Sequence, residues 1–311
     1  MTLPRFSTLV KGALSFAVPS LRTVHGYDEP LGTASAESCY SIFLRHLTLL
    51  RRAGISGVPG VVAEIGPGSS IGVGLAALLA GSERYYSMDV VDFTNPALDV
   101  AILDAIAVLF RHRAPIPATG IHSQRFPDLE HYSWPDWLDL GPSDEWESKV
   151  AAVRKDIASR SERFVKITAP WTDPAIIDSA SVDWIISQSV LEHVDELDGA
   201  YAAMAQWLKP GGYASHLIDF SSHSMTDEWN GHWAIDDRIW RLMRGKRPYL
   251  LNRCSYSEHL KMAAAHGFTP IMEMRNKRFD GLIPEDFAPK FRTVSYEDAR
   301  SNMVFVILRR V

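Results

Sequence analysis

The sequence contains few cysteines, and the two that it has lie far apart. Cys39 and Cys254 are the only ones in 311 residues, and they match neither a zinc-binding spacing nor a redox motif. The sequence therefore excludes a disulfide framework and a zinc site built from cysteines. We expect two ordinary thiols in a reducing, cytoplasmic compartment.

An excess of positive charge is also missing. The formal net charge is −5 and the isoelectric point is about 6.1, whereas nucleic-acid phosphates are bound by clustered lysine and arginine. We therefore expect no nucleic-acid partner. The locally basic segment 241–247 is interpreted as a solvated face.

Long apolar runs are absent as well. None reaches the roughly 20 residues that cross a bilayer, so no transmembrane segment is expected. Residues 1–26 carry three basic side chains and no acidic one, and Pro19 interrupts their apolar stretch. We interpret this segment as a packing arm, with a signal-like segment or a helix lying on a membrane surface as alternatives.

The sequence does contain an alternation of short apolar runs and helical patterns, and its 46% apolar composition can build one large core. Apolar periodicity, caps and glycine breaks mark the elements. The predicted strands are 61–65, 84–91, 163–168, 181–189, 213–220, 269–277 and 302–310. The predicted helices are 35–53, 73–80, 96–112, 144–160, 197–212 and 257–265.

This alternation predicts an α/β fold with a doubly wound, mostly parallel, seven-stranded Rossmann-like sheet. Residues 1–60 are predicted to form a helical N-terminal arm, and residues 61–311 the main domain. Two segments, 113–160 and 221–255, are predicted to be lid insertions rich in tryptophan, including Trp134, Trp137, Trp146, Trp229, Trp233 and Trp240. Aromatic lid residues could stack on an acceptor or could form a small core of their own.

A glycine-rich turn follows the first predicted strand in the stretch VVAEIGPGSSIGVGLAALLAG. Gly66 and Gly68 would let a ligand approach the backbone, with the next helix offering its N-terminal N–H groups. Glu64 disfavours a pyrophosphate beside it and suits a cationic or zwitterionic ligand. Asp89, about 20 residues further on, is placed to accept from ribose hydroxyls.

Four segments together resemble the class I S-adenosylmethionine-dependent methyltransferases. They are EIGPG, MDVV, VDWIISQSVLEHV and WLKPGG, in the family's order between residues 61 and 220. The resemblance implies that the cofactor S-adenosylmethionine is held by residues Glu64, Gly66, Pro67, Gly68, Asp89, Val90 and Gln188. Ser70 replaces a frequent third glycine, and Ala169-Pro170-Trp171 replaces an acid, so Trp171 either stacks on the adenine or belongs to the core.

A narrower resemblance is carried by GTASAESCYSIFLRHL, SHLIDFSSH and EWNGHWA. These segments are similar to bacterial methyltransferases associated with surface-polysaccharide and glycan biosynthesis. They imply O-methylation of a sugar or glycan-type acceptor, although N- and C-methylation stay open.

Transfer to a hydroxyl requires a base, and histidine is the natural one near pH 7. The candidates are His193, after the fourth predicted strand, and the set His216, Asp219 and His223 at the end of the fifth. Residues 216 and 219 point to opposite faces of a strand. They converge only if the strand ends near residue 217 or 218.

The pair Glu192-His193 also resembles methyltransferases in which this position binds a divalent cation such as Mg²⁺, usually with a further acid where Ser189 stands here. His216 or His223 could complete such a site, and the metal ligands stay open. Two other functions are weighed: a non-catalytic S-adenosylmethionine-binding scaffold, and a nicotinamide-dependent oxidoreductase, which Glu64 and the VLEHV and LKPGG segments do not fit. The acceptor and the oligomeric state are not determined by the sequence.

Overall fold

Seven strands form one sheet in the computed structural model, which describes residues 4–22, 32–118, 126–171 and 173–311. The strands are β1 (Val61–Ile65), β2 (Arg84–Met88), β3 (Val165–Thr168), β4 (Val182–Gln188), β5 (Leu208–Asp219), β6 (Phe268–Lys277) and β7 (Ser301–Arg310). Their order is β3-β2-β1-β4-β5-β7-β6. The first five run parallel, and β7 is antiparallel to both β5 and β6.

Nine α-helices are found in the described residues. They are α1 (Phe6–Leu14), α2 (Ala36–Arg52), α3 (Gly72–Ala80), α4 (Pro96–Arg111), α5 (Ser143–Ser159), α6 (Leu197–Trp207), α7 (Asp237–Arg244), α8 (Tyr256–Ala265) and α9 (Tyr296–Arg300). Helices α2 to α5 cover one face of the sheet, and α6 and α8 cover the other. The predicted doubly wound α/β fold is confirmed.

Local signals set most helix boundaries. The Ser35 side chain accepts from the Ser38 amide at the start of α2, and Asn95 caps α4, whose first residue is Pro96. Proline suits the first helical position because its missing N–H would be unsatisfied there anyway. Gly81, with φ of 127°, ends α3 as predicted.

Three predicted boundaries are wrong by three residues or more: the end of the helix 197–212, the start of the strand 213–220 and the end of the strand 84–91. The helix predicted over 197–212 ends at Trp207, because Leu208 turns to extended backbone and pairs with Val182 as the first residue of β5. The strand predicted over 84–91 ends at Met88, because the Asp89 side chain accepts a hydrogen bond from the backbone N–H of Val90.

The predicted N-terminal arm of residues 1–60 divides into two parts. Helix α2 packs on α3 and α4 in the main helical layer. Helix α1 packs on α7, and Arg5 donates its backbone N–H to the Met225 carbonyl. Residues 1–3 and 23–31 of the arm lie outside the described residues.

The first predicted lid, 113–160, does not lie over the carboxyl ends of the strands in its described part. Trp146 donates to the Leu79 carbonyl in the last turn of α3, and Trp134 stands edge-on to Phe110. Both tryptophans belong to the buried core, so the core alternative holds for them. Residues 119–125 of this segment are outside the description.

The second predicted lid, 221–255, follows β5 at the carboxyl edge of the sheet. It contains α7, a helix that the sequence analysis missed, and Asp236 caps it by accepting from the Arg238 amide. Trp229, Trp233 and Trp240 are buried, so these rings stabilise the segment and leave little aromatic surface for an acceptor.

Candidate active site

The glycine turn lies at the carboxyl end of β1, where the parallel strands present their ligand-binding edge. Gly66 and Gly68 have φ of 70° and 73°, a region that favours glycine. A Cβ at Gly66 would stand 2.6 Å from Val190 Cγ2, and one at Gly68 would stand 3.2 Å from Thr33 Oγ1. The turn is therefore enclosed by the loop after β4 and by the residues that precede α2, and Pro67 between the glycines is buried.

The N-terminal amides of α3 are already bonded. Ile71 N–H donates to Asp99 Oδ1 at 3.2 Å, and Gly72 N–H donates to Ser70 Oγ at 3.2 Å. These two amides are thus bonded to side chains, and the Asp99 carboxylate lies at the start of α3. This helix end is not arranged for a pyrophosphate.

Glu64 is buried in β1 and accepts from the Tyr85 hydroxyl at 2.6 Å. Burial raises the pKa of Glu64 to about 8, the charge of Asp89 adds to the rise, and the Tyr85 hydroxyl opposes it. A cationic ligand in the turn would favour the charged form of this carboxyl.

Asp89 follows β2 and lies against the turn. Its carboxylate accepts from Val90 N–H at 2.6 Å and from Gly68 N–H at 3.3 Å. Burial raises the pKa of Asp89, although these two amides oppose the rise. The acid is thus fixed next to Gly68.

Trp171 is half-buried, and its backbone N–H donates to the Asp89 carbonyl at 3.2 Å. Its ring packs T-shaped on Trp207, with centroids 6.0 Å apart. The backbone therefore stands beside the acid, while the ring belongs to the core cluster on the α6 face.

Gln188, the last residue of β4, is held by a chain of hydrogen bonds that the sequence analysis missed. Trp184 Nε1 donates to Ser215 Oγ at 2.9 Å, and Ser215 Oγ lies 2.8 Å from His46 Nδ1. His46 Nε2 lies 3.1 Å from Gln188 Oε1. With Ser215 donating to Nδ1, His46 carries its proton on Nε2 and donates to Gln188. No local signal around His46 predicts this contact.

His216 does not join the predicted His216–Asp219–His223 set. Strand β5 continues to Asp219, so residues 216 and 219 face opposite ways. His216 is fully buried and its Nδ1 lies 2.8 Å from Ser187 Oγ. Burial lowers its pKa to about 3, and His46 and His259 add to the shift. His216 is a core residue in this structure.

Asp219 and His223 do come together, with 3.5 Å between Asp219 Oδ2 and His223 Nε2. Burial would raise the pKa of Asp219, but His223 and Ser221 outweigh it and leave the pKa lowered. The His223 side chain keeps 30% of its surface exposed. An acid thus orients a histidine that can still be reached from solvent.

His193 lies against His223, with ring centroids 4.9 Å apart. His193 Nδ1 lies 3.1 Å from the Tyr249 carbonyl, so Nδ1 carries the proton and Nε2 is left as an acceptor. Burial lowers the pKa of His193 to about 4, and His223 adds to the shift. The ring is therefore neutral near pH 7.

Glu192 completes the cluster. One ligand atom each from Glu192, His193 and His223 lie within 4.8 Å of one another. Glu192 is only 3% exposed, and neither carboxylate oxygen has a hydrogen-bond partner. Burial raises its pKa well above the ordinary value, and Asp219 adds to the rise. An unpartnered carboxyl at this depth is costly unless it is protonated or binds a cation.

The loop that carries Glu192 and His193 is fixed by the second insertion. Asn252 Nδ2 donates to the carbonyls of Leu191 at 2.7 Å and Val194 at 3.1 Å, and Asn252 N–H donates to the Glu192 carbonyl at 2.8 Å. The sequence analysis missed Asn252, because only the folded chain brings the insertion to this loop.

A family model described as a methyltransferase domain matches residues 143–215, which include β3, β4, α6 and the first part of β5. No curated protein is similar enough to the chain to give a match.

Solved structures with a similar fold include an S-adenosylmethionine-dependent methyltransferase from Mesorhizobium loti, at 14% identity and a TM-score of 0.42, covering 85% of this chain and 96% of that one. Geranyl diphosphate C-methyltransferase from Streptomyces coelicolor has 13% identity and a TM-score of 0.42, covering 86% and 77%. Phosphoethanolamine N-methyltransferase 2 from Haemonchus contortus has 13% identity and a TM-score of 0.42, covering 86% of this chain and 52% of its own length.

The methyltransferase-domain match over residues 143–215 supports an S-adenosylmethionine-dependent methyltransferase, and the strand order β3-β2-β1-β4-β5-β7-β6 is that of the predicted Rossmann-like sheet.

Proposed function

We propose that the chain methylates a hydroxyl group of a sugar or glycan-type acceptor, with a histidine of the Glu192–His193–His223 cluster accepting the proton. The observation that carries this proposal is the Asp219–His223 pair at the carboxyl end of β5, on the edge of the sheet where β1 presents its glycine turn. The sugar itself is inferred from the three segments that resemble methyltransferases of glycan biosynthesis.

The cofactor site is proposed at the glycine turn and at residues at or after the carboxyl ends of β1 to β4, namely Glu64, Gly66, Pro67, Gly68, Asp89, Val90, Trp171 and Gln188. Glu64 and Asp89 are two buried acids, and neither forms an ion pair with a basic side chain among the described residues. Such acids favour a ligand that carries an ammonium and a sulfonium group and disfavour a pyrophosphate. The bonded amides of α3 support the same choice over a nicotinamide dinucleotide.

Methyl transfer is an in-line displacement. The acceptor oxygen would form a bond to the methyl carbon while the carbon–sulfur bond breaks. The electron pair of the broken bond would stay on sulfur, which gives S-adenosylhomocysteine as the second product. The hydroxyl proton passes to histidine. We favour His223 as the base, because Asp219 stabilises the imidazolium that forms and the side chain is accessible.

A divalent cation at the same cluster is the second candidate, and the unpartnered oxygens of Glu192 favour it. Two imidazoles and one carboxylate suit Mn²⁺, Zn²⁺ or Fe²⁺ better than Mg²⁺, which prefers oxygen ligands. When bound, such an ion supplies Lewis-acid activation of a hydroxyl. His223 would then hold the ion, and the two roles exclude each other.

The test is a methyl-transfer assay on nucleotide sugars and glycan acceptors with His223→Gln, His193→Gln and the matched surface control His266→Gln, whose ring contacts Asp198. Loss of a catalytic base slows transfer by about 10²- to 10⁴-fold. We expect this loss for His223→Gln, with unchanged affinity for S-adenosylhomocysteine.

A chelator separates the two mechanisms. Activity that survives EDTA supports the histidine base, whereas activity lost in EDTA and restored by Mn²⁺ supports the cation. Normal transfer by His223→Gln in EDTA would contradict both roles and move the base to His193.

The location of the protein is part of the proposal. We place it in the cytoplasm because both cysteines are free and far apart. In the part of the chain that the structure describes, no helix has the length and apolar character needed to span a bilayer.

A further inference from the structure

Helix α1 exposes apolar side chains to solvent and buries small and polar ones, which is unusual for a surface helix. The residues that it buries against α7 are Thr8, Gly12 and the following Ser15, which are small or polar, and Leu9 adds a partly buried apolar side chain to this face. The residues that it exposes are apolar: Phe6 is 80% exposed, Leu14 47% and Val10 36%. A surface helix normally places its apolar stripe inward and its polar face outward.

The inward face explains why α1 docks in this orientation. A Cβ at Gly12 would collide with the carbonyl groups of Leu242 and Met243, so only glycine allows the two backbones to meet. Ser15 Oγ accepts from Lys246 N–H at 2.8 Å. These contacts fix the rotation of α1 and with it the outward direction of Phe6, Val10 and Leu14.

The surface next to this apolar stripe is basic. Lys11 of α1 and Arg241 and Lys246 at the end of α7 are exposed, and none of them is in an ion pair among the described residues. Leu242, which follows Arg241 in α7, is 46% exposed. A chain with net charge −5 thus collects unpaired positive charge around an apolar stripe.

We propose that this face, formed by Phe6, Val10, Leu14 and Leu242 with Lys11, Arg241 and Lys246, binds the surface of an anionic lipid bilayer. Apolar side chains would enter the boundary between headgroups and acyl chains while the cations contact lipid phosphates. A stripe one helix wide is small for a protein partner, since a stable interface buries about 800 Å² on each side. The charge also fits anionic lipid better than a second copy of the same basic face.

The proposed face is joined to the candidate active site. Arg244 of α7 pairs with Asp195, two residues after His193, and Tyr249 contacts His193 directly. Binding to a bilayer through α1 and α7 would therefore bring the active-site loop close to the lipid surface. The proposal does not depend on which acceptor is methylated.

The experiment is co-sedimentation of the whole protein with vesicles of phosphatidylcholine alone and of phosphatidylcholine with phosphatidylglycerol, at low and high salt. We expect binding to the anionic vesicles that weakens as salt rises. Phe6→Glu should reduce the partition coefficient by about tenfold or more, because burying a phenylalanine contributes about 1.5 to 3 kcal/mol.

Phe279→Glu is the matched control, since Phe279 is 74% exposed and belongs to neither helix. It should bind vesicles as the unaltered protein does. Thermal unfolding should give the same midpoint for all three proteins, which shows that each is folded and keeps this test independent of the proposed reaction.

Absence of wild-type binding to anionic vesicles at low salt would overturn the proposal. Equal loss in Phe6→Glu and Phe279→Glu would overturn it too, because the effect would then be one of net charge. A dimer by light scattering that Phe6→Glu dissociates, without vesicle binding, would assign the face to self-association instead.

Discussion

Asp89 is the residue on which cofactor binding should depend most. Its carboxylate accepts hydrogen bonds from the backbone N–H groups of Val90 and Gly68 and lies against the glycine turn. Asp89→Ala should weaken binding of S-adenosylhomocysteine by about 10- to 100-fold, because hydrogen bonds to charged groups contribute about 1.5 to 3 kcal/mol. Calorimetric titration measures this change. The nearby exposed variant Asp92→Ala is the control, and equal affinity in both variants would argue against a ribose role.

Glu64 should make the ligand-free protein less stable as pH rises. Its folded-state pKa is raised to about 8 from an ordinary value of 4.5, so the folded state holds a proton that the unfolded state releases. The stability that this proton provides is complete below pH 4.5 and is lost between 4.5 and 8.

The variant Glu64→Gln keeps an acceptor for Tyr85 and removes the titration. It should match the unaltered protein near pH 5 and exceed it in free energy of unfolding by a few kcal/mol at pH 8.5. Urea denaturation at both values measures this gap. Glu130→Gln, at an exposed site, should show no such dependence, and a gap for Glu64→Gln that is constant with pH would contradict the raised pKa.

Part of the site could be predicted from sequence because its determinants are local. Gly66, Gly68 and Asp89 follow their strands directly, and parallel strands bring such residues to one edge. His46 and Asn252 could not be found this way, because each forms hydrogen bonds with residues that are distant in the sequence: His46 with Gln188, and Asn252 with the loop after β4. His216 was misassigned because the end of β5 depends on pairing with β7.

Among the elements, the contact between α1 and α7 should be sensitive to a single methyl group. Gly12→Ala places a Cβ against the carbonyl groups of Leu242 and Met243, and such overpacking costs about 1 to 3 kcal/mol. We expect faster hydrogen exchange of the α1 amides with unchanged affinity for S-adenosylhomocysteine.

Gly199→Ala is the matched control, because Gly199 lies in α6 with open space at its Cβ position. It should leave exchange in α1 unaltered and slightly favour its own helix. If α1 is equally protected in both variants, the close contact at Gly12 is wrong.

The boundaries of helices could be predicted where a capping residue or a glycine marks them. They could not be predicted where the pairing of strands sets the end of an element. Ser35, Asn95 and Gly81 are such local marks. The sequence of residues 208–212 is typical of a helix end, but Leu208 pairs with Val182, so this segment is the start of β5. Helix α7 was missed because its apolar residues pack on α1 and on Met225, Ile235 and Leu251.

For the whole molecule, buried histidines should limit stability in acid. Burial lowers the pKa of His46 to about 4 and those of His216 and His259 to about 3. Below the ordinary value of 6.5 the unfolded state binds protons that the folded state does not, so the free energy of unfolding falls as pH drops from about 6.5 toward 4. His46 alone accounts for up to about 3 kcal/mol.

The variant His259→Asn tests this contribution, because an amide can replace the contact of His259 Nδ1 with the Tyr201 hydroxyl. Its stability should fall less steeply than that of the unaltered protein between pH 7 and pH 5. The surface variant His266→Asn should follow the unaltered protein, and parallel curves for all three would argue against a neutral, buried His259.

The position of β7 has a consequence for the chain during its synthesis. Strands β5 and β6 do not pair with each other, because β7, which follows both in the sequence, lies between them. Until residues from Ser301 onward leave the ribosome, Tyr213 to Asp219 present an open strand edge. The nascent protein would therefore carry an apolar, unpaired edge while the residues between β5 and β7 are synthesised, the kind of surface that chaperones shield.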